Sequence, residues 1–253
     1  MTDTAPALLA PPRIVPAGEA ALLVELGDEI GEASTDRVLR LATALDALSM
    51  PGIIDRVPGY TTLLVVFDPA SVDPDRLSEA LIRLDREADS MPLAPGRLVT
   101  IPVAYGGDFG PDLKAVAKRA GLSEAEVIER HSGADYRVGC VGFVPGFAYL
   151  VGLPSELETP RRSSPRSRVP AGSVAIGGAQ TGVYPFETPG GWHLIGRTPL
   201  RPFDPNRAEP ALLQAGDRVK FEPIAPAAFA VIADQVERGE QRPGERREPG
   251  EPS

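Results

Sequence analysis

Residues 142 to 150 read Gly-Phe-Val-Pro-Gly-Phe-Ala-Tyr-Leu, and they set the character of the second half of the chain. Glycine permits positive φ and close backbone approach, whereas proline fixes φ and cannot donate a backbone hydrogen bond. Such a stretch forms stiff, tightly turned loops. On both sides of it, short apolar runs alternate with Gly and Pro, at residues 136–143, 173–176, 192–195 and 217–221. This pattern is typical of an all-β barrel or sandwich.

The first half of the chain has a different pattern, in which strands alternate with helices. Its predicted elements are a strand at 21–26, a helix capped by Ser34 or Thr35, strands at 53–57 and 61–67, a helix from Asp73 and a strand at 97–103. The order strand, helix, strand, strand, helix, strand matches a ferredoxin-like unit. The last strand fits the following domain equally well.

Two short helices are predicted where the halves meet. The first runs from Pro111 to Gly121, and the second begins at Ser123, which forms a capping-box pattern with Glu126. No helix is expected after residue 136. We therefore expect an α+β protein of two domains between mobile tails. The segments are a tail at 1–12, a ferredoxin-like α/β sandwich at 13–95, a β-barrel at 96–233 and a tail at 234–253.

Composition excludes several classes of function. A net charge of −9 argues against nucleic-acid binding, which requires lysine and arginine to neutralise phosphates. The single cysteine, Cys140, excludes an intrachain disulfide and a cysteine-based zinc site, and two histidines are too few for a metal-ligand cluster. No run approaches the roughly 18 apolar residues of a membrane span, and the N-terminus lacks a leader pattern. We expect a cytoplasmic protein with no metal, membrane or nucleic-acid partner.

Several sequence blocks accompany the 142–150 stretch in a fixed order. They are residues 16–22, 105–113, 152–154, 160–162, 165–166, 169–174, 177–185 and 189–199. Over residues 13 to about 224 these blocks resemble the family labelled as the B subunit of 5-oxoprolinase, KipI, and the first subunit of allophanate hydrolase. The resemblance implies that the C-terminal barrel is cyclophilin-like.

The same resemblance implies a function within an assembly. It implies a B subunit that pairs with a C subunit, and the pair acts with an A subunit to hydrolyse 5-oxo-L-proline to L-glutamate at the expense of ATP. No Gly-x-x-x-x-Gly-Lys-Ser/Thr loop and no Gly-x-Ser-x-Gly elbow occurs in the chain. We therefore expect the chain to be inactive alone and the ATP site to lie on one of its partners. The catalytic residues are not identified.

Three arginines between prolines are candidates for binding substrate or partner. Arg161, Arg162 and Arg166 present planar guanidinium groups that suit a carboxylate or phosphoryl oxygen, and 5-oxoproline carries a carboxylate. The alternative is a solvated loop, or contacts with acidic residues of a partner. Arg197 follows a strand and is a weaker candidate, because that position is equally suited to pinning a turn.

Other candidates lie in the Gly-bounded loops. Gln180, Thr181 and Tyr184 bring amide, hydroxyl and phenol groups into one short segment, which suits a lactam, a partner backbone or loop capping. The remaining candidates are His131, Phe143, Pro145, Gly146 and Trp192. Core packing is the common alternative for the single tryptophan, and a helix-end position explains His131 without any substrate.

Two other functions compete with the lactam hydrolase. A KipI-like inhibitor of a sensor histidine kinase would bind the kinase directly. A component of urea or allophanate degradation is favoured less, because the chain carries no biotin-attachment or amidase serine signature.

Overall fold

The computed structural model describes residues 8–93 and 96–239. The chain divides into two compact units, Met1–Pro95 and Gly96–Ser253. None of the described helices is long and apolar enough to cross a membrane. Within the same residues, no group of three or more His, Cys, Asp or Glu side chains is placed to hold a metal ion.

The first unit is one antiparallel sheet covered on one face by two helices. Its elements are β1 (Leu8–Pro16), β2 (Ala21–Gly27), α1 (Glu32–Leu48), β3 (Ile53–Pro58), β4 (Thr62–Phe67) and α2 (Pro74–Asp89). The strands lie in the order β1-β2-β4-β3. Alternate residues of β2 and β4, such as Val24 and Val65, are fully buried and form one core with the apolar sides of α1 and α2. This alternation is what a sheet with one covered face requires.

The predicted ferredoxin-like order of elements was wrong at one edge of this sheet, which is formed by the N-terminal strand β1. The sequence pattern placed residues 97–103 either at this edge or in the next domain, and they belong to the barrel. The N-terminal strand β1 takes the edge position instead, with Val15 opposite Leu23 in antiparallel pairing. The predicted tail at 1–12 was therefore wrong for residues 8–12, and residues 1–7 lie outside the described part. Pro11 and Pro12 obscured this strand, whose register is irregular between Leu8 and Arg13.

Helix capping was predicted correctly for α2 and wrongly for α1. Asp73 is the N-cap of α2, and its carboxylate accepts from the backbone N–H groups of Asp75 and Arg76. Helix α1 begins earlier than predicted, after Gly31, and no side chain caps it. Ser34 and Thr35 lie inside the helix and are buried, and Ser34 Oγ donates to the carbonyl of Glu29 at 2.9 Å.

The second unit contains a closed β-barrel, which confirms the prediction for the C-terminal half. Its elements are β5 (Leu98–Tyr105), α3 (Leu113–Ala120), α4 (Glu124–Gly133), β6 (Tyr136–Val141), β7 (Ala148–Val151), β8 (Arg166–Val169), β9 (Ser173–Gly177), β10 (Gln180–Val183), β11 (Thr188–Gly190), β12 (His193–Arg197), β13 (Arg218–Pro223) and α5 (Pro226–Glu237). The barrel order is β10-β7-β6-β13-β5-β12-β9, and β8 pairs with β11 in a separate ribbon. Strands β5 and β13 are parallel neighbours, with Leu98 opposite Arg218, although they lie at opposite ends of this unit in the sequence.

The helices of the second unit confirm one prediction and correct another. Ser123 and Glu126 form the predicted capping box of α4. The expectation that helices end before residue 136 was wrong, because Pro226 opens α5 and Phe229 of that helix packs on Phe109 with ring centroids 4.8 Å apart. Helix α5 also runs into the predicted tail at 234–253, of which residues 240–253 lie outside the described part.

Candidate functional site

An open cleft of about 450 Å³ lies on the barrel unit, next to α3 and the loop that precedes β8. Most of its lining residues are of polar types, and they bring three guanidinium groups, one imidazole and three hydroxyl groups. The lining residues are Ala115, Arg119, Thr159, Pro160, Arg161, Arg162, Ser163, Ser164 and His193. We refer to this feature as the arginine cleft. It contains two of the three arginines predicted from the sequence, Arg161 and Arg162.

The loop that carries these arginines is fixed to the barrel by hydrogen bonds at three points. Thr159 and Gly178 exchange both of their backbone hydrogen bonds, at 3.1 and 2.7 Å. The Nε2–H of His193 donates to the carbonyl of Pro160 at 3.0 Å. The backbone N–H of Arg162 donates to the carbonyl of Gly191 at 2.8 Å. The guanidinium groups are therefore mounted on a preorganised backbone, which lowers the ordering cost of binding a ligand.

Behind the loop, the buried carboxylate of Asp112 joins three elements. Its two oxygens accept from Nη1 and Nη2 of Arg166, both at 2.8 Å, and one oxygen also accepts from the backbone N–H of Leu194 at 2.8 Å. Nη1 of Arg162 lies 3.5 Å from the same carboxylate. Burial acts to raise the pKa of Asp112, but the bonds from Arg166 and Leu194 outweigh it, so the pKa lies below its ordinary value.

Arg166 therefore has a partner within its own chain, and it does not line the cleft. Its fork-to-fork geometry with Asp112 is the strong bidentate form of an arginine-carboxylate pair. Arg162 shares this carboxylate through an ion pair at 3.5 Å, whereas Arg119 and Arg161 have no carboxylate partner among the described residues. The third predicted arginine thus supports the cleft from behind.

The cleft carries positive charge that the neighbouring side chains leave uncompensated. Within residues 8–93 and 96–239, neither Arg119 nor Arg161 forms an ion pair with a carboxylate. No acidic residue is among the lining residues. Two lining groups also have nitrogen atoms that are shielded from solvent and lack a hydrogen-bond partner in the described region, Nε of Arg162 and Nδ1 of His193.

An aromatic cluster lies beside the cleft. Phe147 is at its centre, with ring centroids 4.7 Å from Tyr149, 5.2 Å from Tyr184 and 5.5 Å from Trp192, all edge-to-face. Trp192 is 4% exposed, and the guanidinium carbon of Arg161 lies 5.9 Å from its ring centroid. Trp192 is therefore packed in the core, the alternative given for it from the sequence, and it is not among the lining residues of the cleft, although its ring supports Arg161.

His131 lies inside the barrel, far from solvent. Its ring is fully buried and stacks on Phe221 with centroids 4.6 Å apart. The Thr181 hydroxyl donates to the carbonyl of Ala175 at 3.0 Å, so it accepts from Nε2–H of His131 at 2.9 Å. This order leaves Nδ1 of His131 to accept from the Tyr105 hydroxyl at 2.8 Å.

That network holds His131 in its neutral form. Burial lowers the pKa of His131 to about 3, and burial also raises the pKa of Tyr105 well above its ordinary value. Two of the predicted residues, His131 and Thr181, are thus hydrogen-bonded to each other inside the barrel. Neither of them lines the arginine cleft.

The remaining predicted residues are distributed around the barrel. Phe143 is 61% exposed and has positive φ, and the nearby Pro145 is exposed as well. Gly146 also has positive φ, and a side chain there would meet Phe203, with 2.6 Å between the two Cβ atoms. Gln180 is half-buried at the start of β10. Arg197 donates to the carbonyl of Ala171 and lies over the ring of Phe229, so it does pin a turn.

Three titratable residues at the site, Arg119, His193 and Asp112, were not among the candidates identified from the sequence. Arg119 belongs to the last turn of α3 and reaches the cleft only because α3 packs near the loop. His193 was not among the candidates, and Asp112 was noted only as part of a matched block. The Pro111-Asp112 pair at a predicted helix start was the one available signal for Asp112.

Comparison with known proteins identifies the family. Residues 12–213 match the model of the carboxyltransferase domain, subdomain C and D. The B subunit of 5-oxoprolinase from Escherichia coli O157:H7 is 49% identical over 207 residues, which cover 81% of this chain and 93% of that protein.

Solved structures show the same architecture. The crystal structure of the protein TTHA0988 is 40% identical and matches with a TM-score of 0.70 over 81% of this chain, which spans only 40% of that longer polypeptide. The urea amidolyase of Kluyveromyces lactis matches 92% of this chain with a TM-score of 0.73, and the match spans 16% of that protein. At 21% identity, the second likeness shows the fold alone.

Proposed function

Since this chain belongs to the family of the carboxyltransferase domain, subdomain C and D, and groups there with the B subunits of bacterial 5-oxoprolinases, we propose that it is the B subunit of an ATP-dependent 5-oxoprolinase. The observation that carries the proposal is the 49% identity over 93% of the length of a protein with that name. The arginine cleft and its supporting residues lie within residues 12–213, the part of the chain that matches the family model.

The chemistry explains why such an enzyme consumes ATP. The lactam of 5-oxoproline is an amide, whose carbonyl carbon is a poor electrophile. Transfer of the γ-phosphoryl group to the amide oxygen, with release of ADP, makes the carbonyl carbon a better electrophile. Water adds to that carbon, the C–N bond breaks as the nitrogen takes a proton, and the ring opens to an acyl phosphate. A second water hydrolyses the acyl phosphate to glutamate and inorganic phosphate. The assembly must hold anionic groups, because both the substrate carboxylate and the transferred phosphoryl group carry negative charge.

We propose that the ATP site and part of the catalytic machinery lie on two partner polypeptides, an A subunit and a C subunit. The chain has no phosphate-binding loop of the Gly-x-x-x-x-Gly-Lys-Ser/Thr type, and its candidate cleft offers arginines without a carboxylate for a magnesium ion. The designation of its relatives as subunits also fits a chain that acts in an assembly. No residue of this chain is proposed as a catalytic acid or base.

The test is glutamate release from 5-oxoproline and ATP. The purified chain is assayed alone, with its candidate A and C subunits, and in mixtures that omit one component at a time. We expect glutamate only from the complete mixture with ATP. Equal activity in a mixture that omits this chain would contradict the proposal.

A complete absence of activity in every mixture would also contradict it. The kinase-inhibitor hypothesis would then be tested next, by measuring autophosphorylation of a sensor histidine kinase with and without the chain. No contact within the described residues favours that hypothesis or the urea-degradation hypothesis.

A further inference from the structure

We propose that the arginine cleft is an oxyanion-binding site that this chain provides without its partners. The site would take a small ligand carrying a carboxylate or phosphoryl group. The inference rests on the proposed function only for the identity of the anion, since 5-oxoproline offers a carboxylate and ATP offers phosphoryl groups. The binding itself is argued from the cleft.

Charge is the first argument. The whole chain has a net charge of −9, yet the cleft gathers Arg119, Arg161 and Arg162 with no acidic lining residue. Like charges held this close repel each other, so such a cluster is stabilised when an anion enters it. Arg162 shares Asp112 with Arg166, whereas Arg119 and Arg161 have no carboxylate partner among the described residues.

Geometry is the second argument. The arginine loop is held by backbone bonds to Gly178 and Gly191 and by the His193 side chain, so it does not have to be ordered when a ligand arrives. Arg161 is further supported by the face of Trp192. Preorganised guanidinium groups bind planar carboxylates and phosphoryl oxygens with paired hydrogen bonds.

Unused hydrogen-bonding capacity is the third argument. The Nε–H of Arg162 is shielded from solvent and has no partner among the described residues, so this donor is unused. Asp112 is not among the lining residues, and its oxygens accept from Arg166, from the backbone N–H of Leu194 and, at 3.5 Å, from Arg162. Ser163 and Ser164 add hydroxyl donors at the rim.

The volume of the cleft suits a small molecule. At about 450 Å³ it falls within the range of about 300 to 1,000 Å³ that is typical of small-molecule sites. Its polar lining and open shape favour a charged ligand over an apolar one. Because the arginines are partly exposed to solvent, binding should weaken as ionic strength rises.

Isothermal titration calorimetry on the full chain without partners tests the site. Inorganic phosphate, 5-oxo-L-proline and ATP are titrated separately at low ionic strength. The cleft variant is Arg119→Gln with Arg161→Gln, since both side chains are exposed and neither forms an ion pair with a described carboxylate. The matched control is Arg168→Gln with Arg218→Gln, which removes two exposed positive charges from the same unit but outside the cleft.

We expect at least one of the three anions to bind, with affinity at least tenfold weaker in the cleft variant and within about twofold of the original in the control. Binding of 5-oxoproline but not phosphate would assign the cleft to the substrate carboxylate, whereas binding of phosphate or ATP alone would assign it to phosphoryl groups. Trp192 fluorescence gives a second readout for phosphate and 5-oxoproline, because Arg161 lies over that ring.

The proposal is overturned if none of the anions binds, if the cleft variant binds as the original does, or if the control loses as much affinity. These outcomes are separate from those of the activity assay. Anion binding without glutamate release in the full mixture would contradict only the proposed function. Glutamate release with no anion binding to the isolated chain would contradict only the cleft.

Discussion

Asp112 shows how one buried carboxylate can organise a charged surface without taking part in it. It occupies the N-cap position of α3, holds Arg166 by two bonds of 2.8 Å and anchors β12 through the N–H of Leu194. A buried carboxylate is tolerated only when its lone pairs are used in this way. Arg162 shares this carboxylate at 3.5 Å, whereas Arg119 and Arg161, which have no carboxylate partner among the described residues, present their charge to solvent or to a ligand.

His131 is the residue for which the structure predicts a clear dependence on pH. The pKa of His131 is about 3 in the folded chain and near 6.5 when exposed, so the unfolded chain binds more protons between these values. The stabilisation is complete above pH 6.5 and is lost as pH falls toward 3. Within that window, we expect His131 to lower the free energy of unfolding by about 1.4 kcal/mol for each unit that the pH falls.

The measurement is the free energy of unfolding by urea at several pH values between 6 and 4. Carboxylates titrate in the same range, so the His131→Asn variant is compared with the original chain, and its loss per pH unit should be smaller. His193→Asn is the matched control, because these are the two histidines of the chain. An unchanged pH slope in His131→Asn would show that His131 is not held neutral by the fold.

At the scale of elements, strand β9 approaches Trp192 closely, and this contact fixes the position of the indole ring in the aromatic cluster. A Cβ atom on Gly177 would lie 2.4 Å from Cδ1 and Nε1 of the indole, so only glycine leaves room for the ring. Gly191 is the neighbouring contrast, since a Cβ atom there would meet Pro165 at 3.7 Å, an ordinary contact distance. The two positions therefore differ in packing while both adjoin the aromatic cluster.

We predict that Gly177→Ala displaces Trp192 and destabilises the barrel unit by about 1 to 3 kcal/mol, the usual cost of overpacking. Trp192 is the only tryptophan, so its fluorescence emission reports the displacement directly. Thermal unfolding gives the stability. Gly191→Ala should leave the emission unchanged, and an equal effect of the two substitutions would argue against the packing explanation.

At the scale of the whole molecule, the division into Met1–Pro95 and Gly96–Ser253 separates the two cores. The barrel core, from Val99 to Phe221, and the aromatic cluster both lie entirely within the second unit. The arginine cleft lies there too. Each unit thus has the apolar interior that an independent domain needs.

We predict that a fragment of residues 96–239 folds on its own. It should unfold cooperatively on heating and show the same Trp192 emission as the full chain, because every contact described for that ring lies within the fragment. Circular dichroism and fluorescence check this. A fragment without a cooperative transition would mean that the first unit is required for folding of the barrel.

Several features of the fold could be predicted from the sequence because their causes are local. The alternation in β2 and β4, the Asp73 cap of α2, the capping box of α4 and the Gly- and Pro-punctuated strands of the barrel each depend on residues close together in the chain. The family resemblance was also visible, because it depends on the order of short motifs. Arg161 and Arg162 could be proposed as candidates because the signal was local too, namely guanidinium groups in a short loop between prolines.

Other features depend on contacts between distant residues, and only the tertiary structure decided them. The pairing of β5 with β13, the use of β1 as the edge of the first sheet and the burial of His131 each join segments that sequence periodicity cannot connect. The cleft is of the same kind, since Arg119 and His193 meet the arginine loop from distant parts of the chain. The sequence alone determined which chemical groups the chain can offer, and the long-range packing determined which of them meet, because folding brings side chains together by shape and burial and not by their separation along the chain.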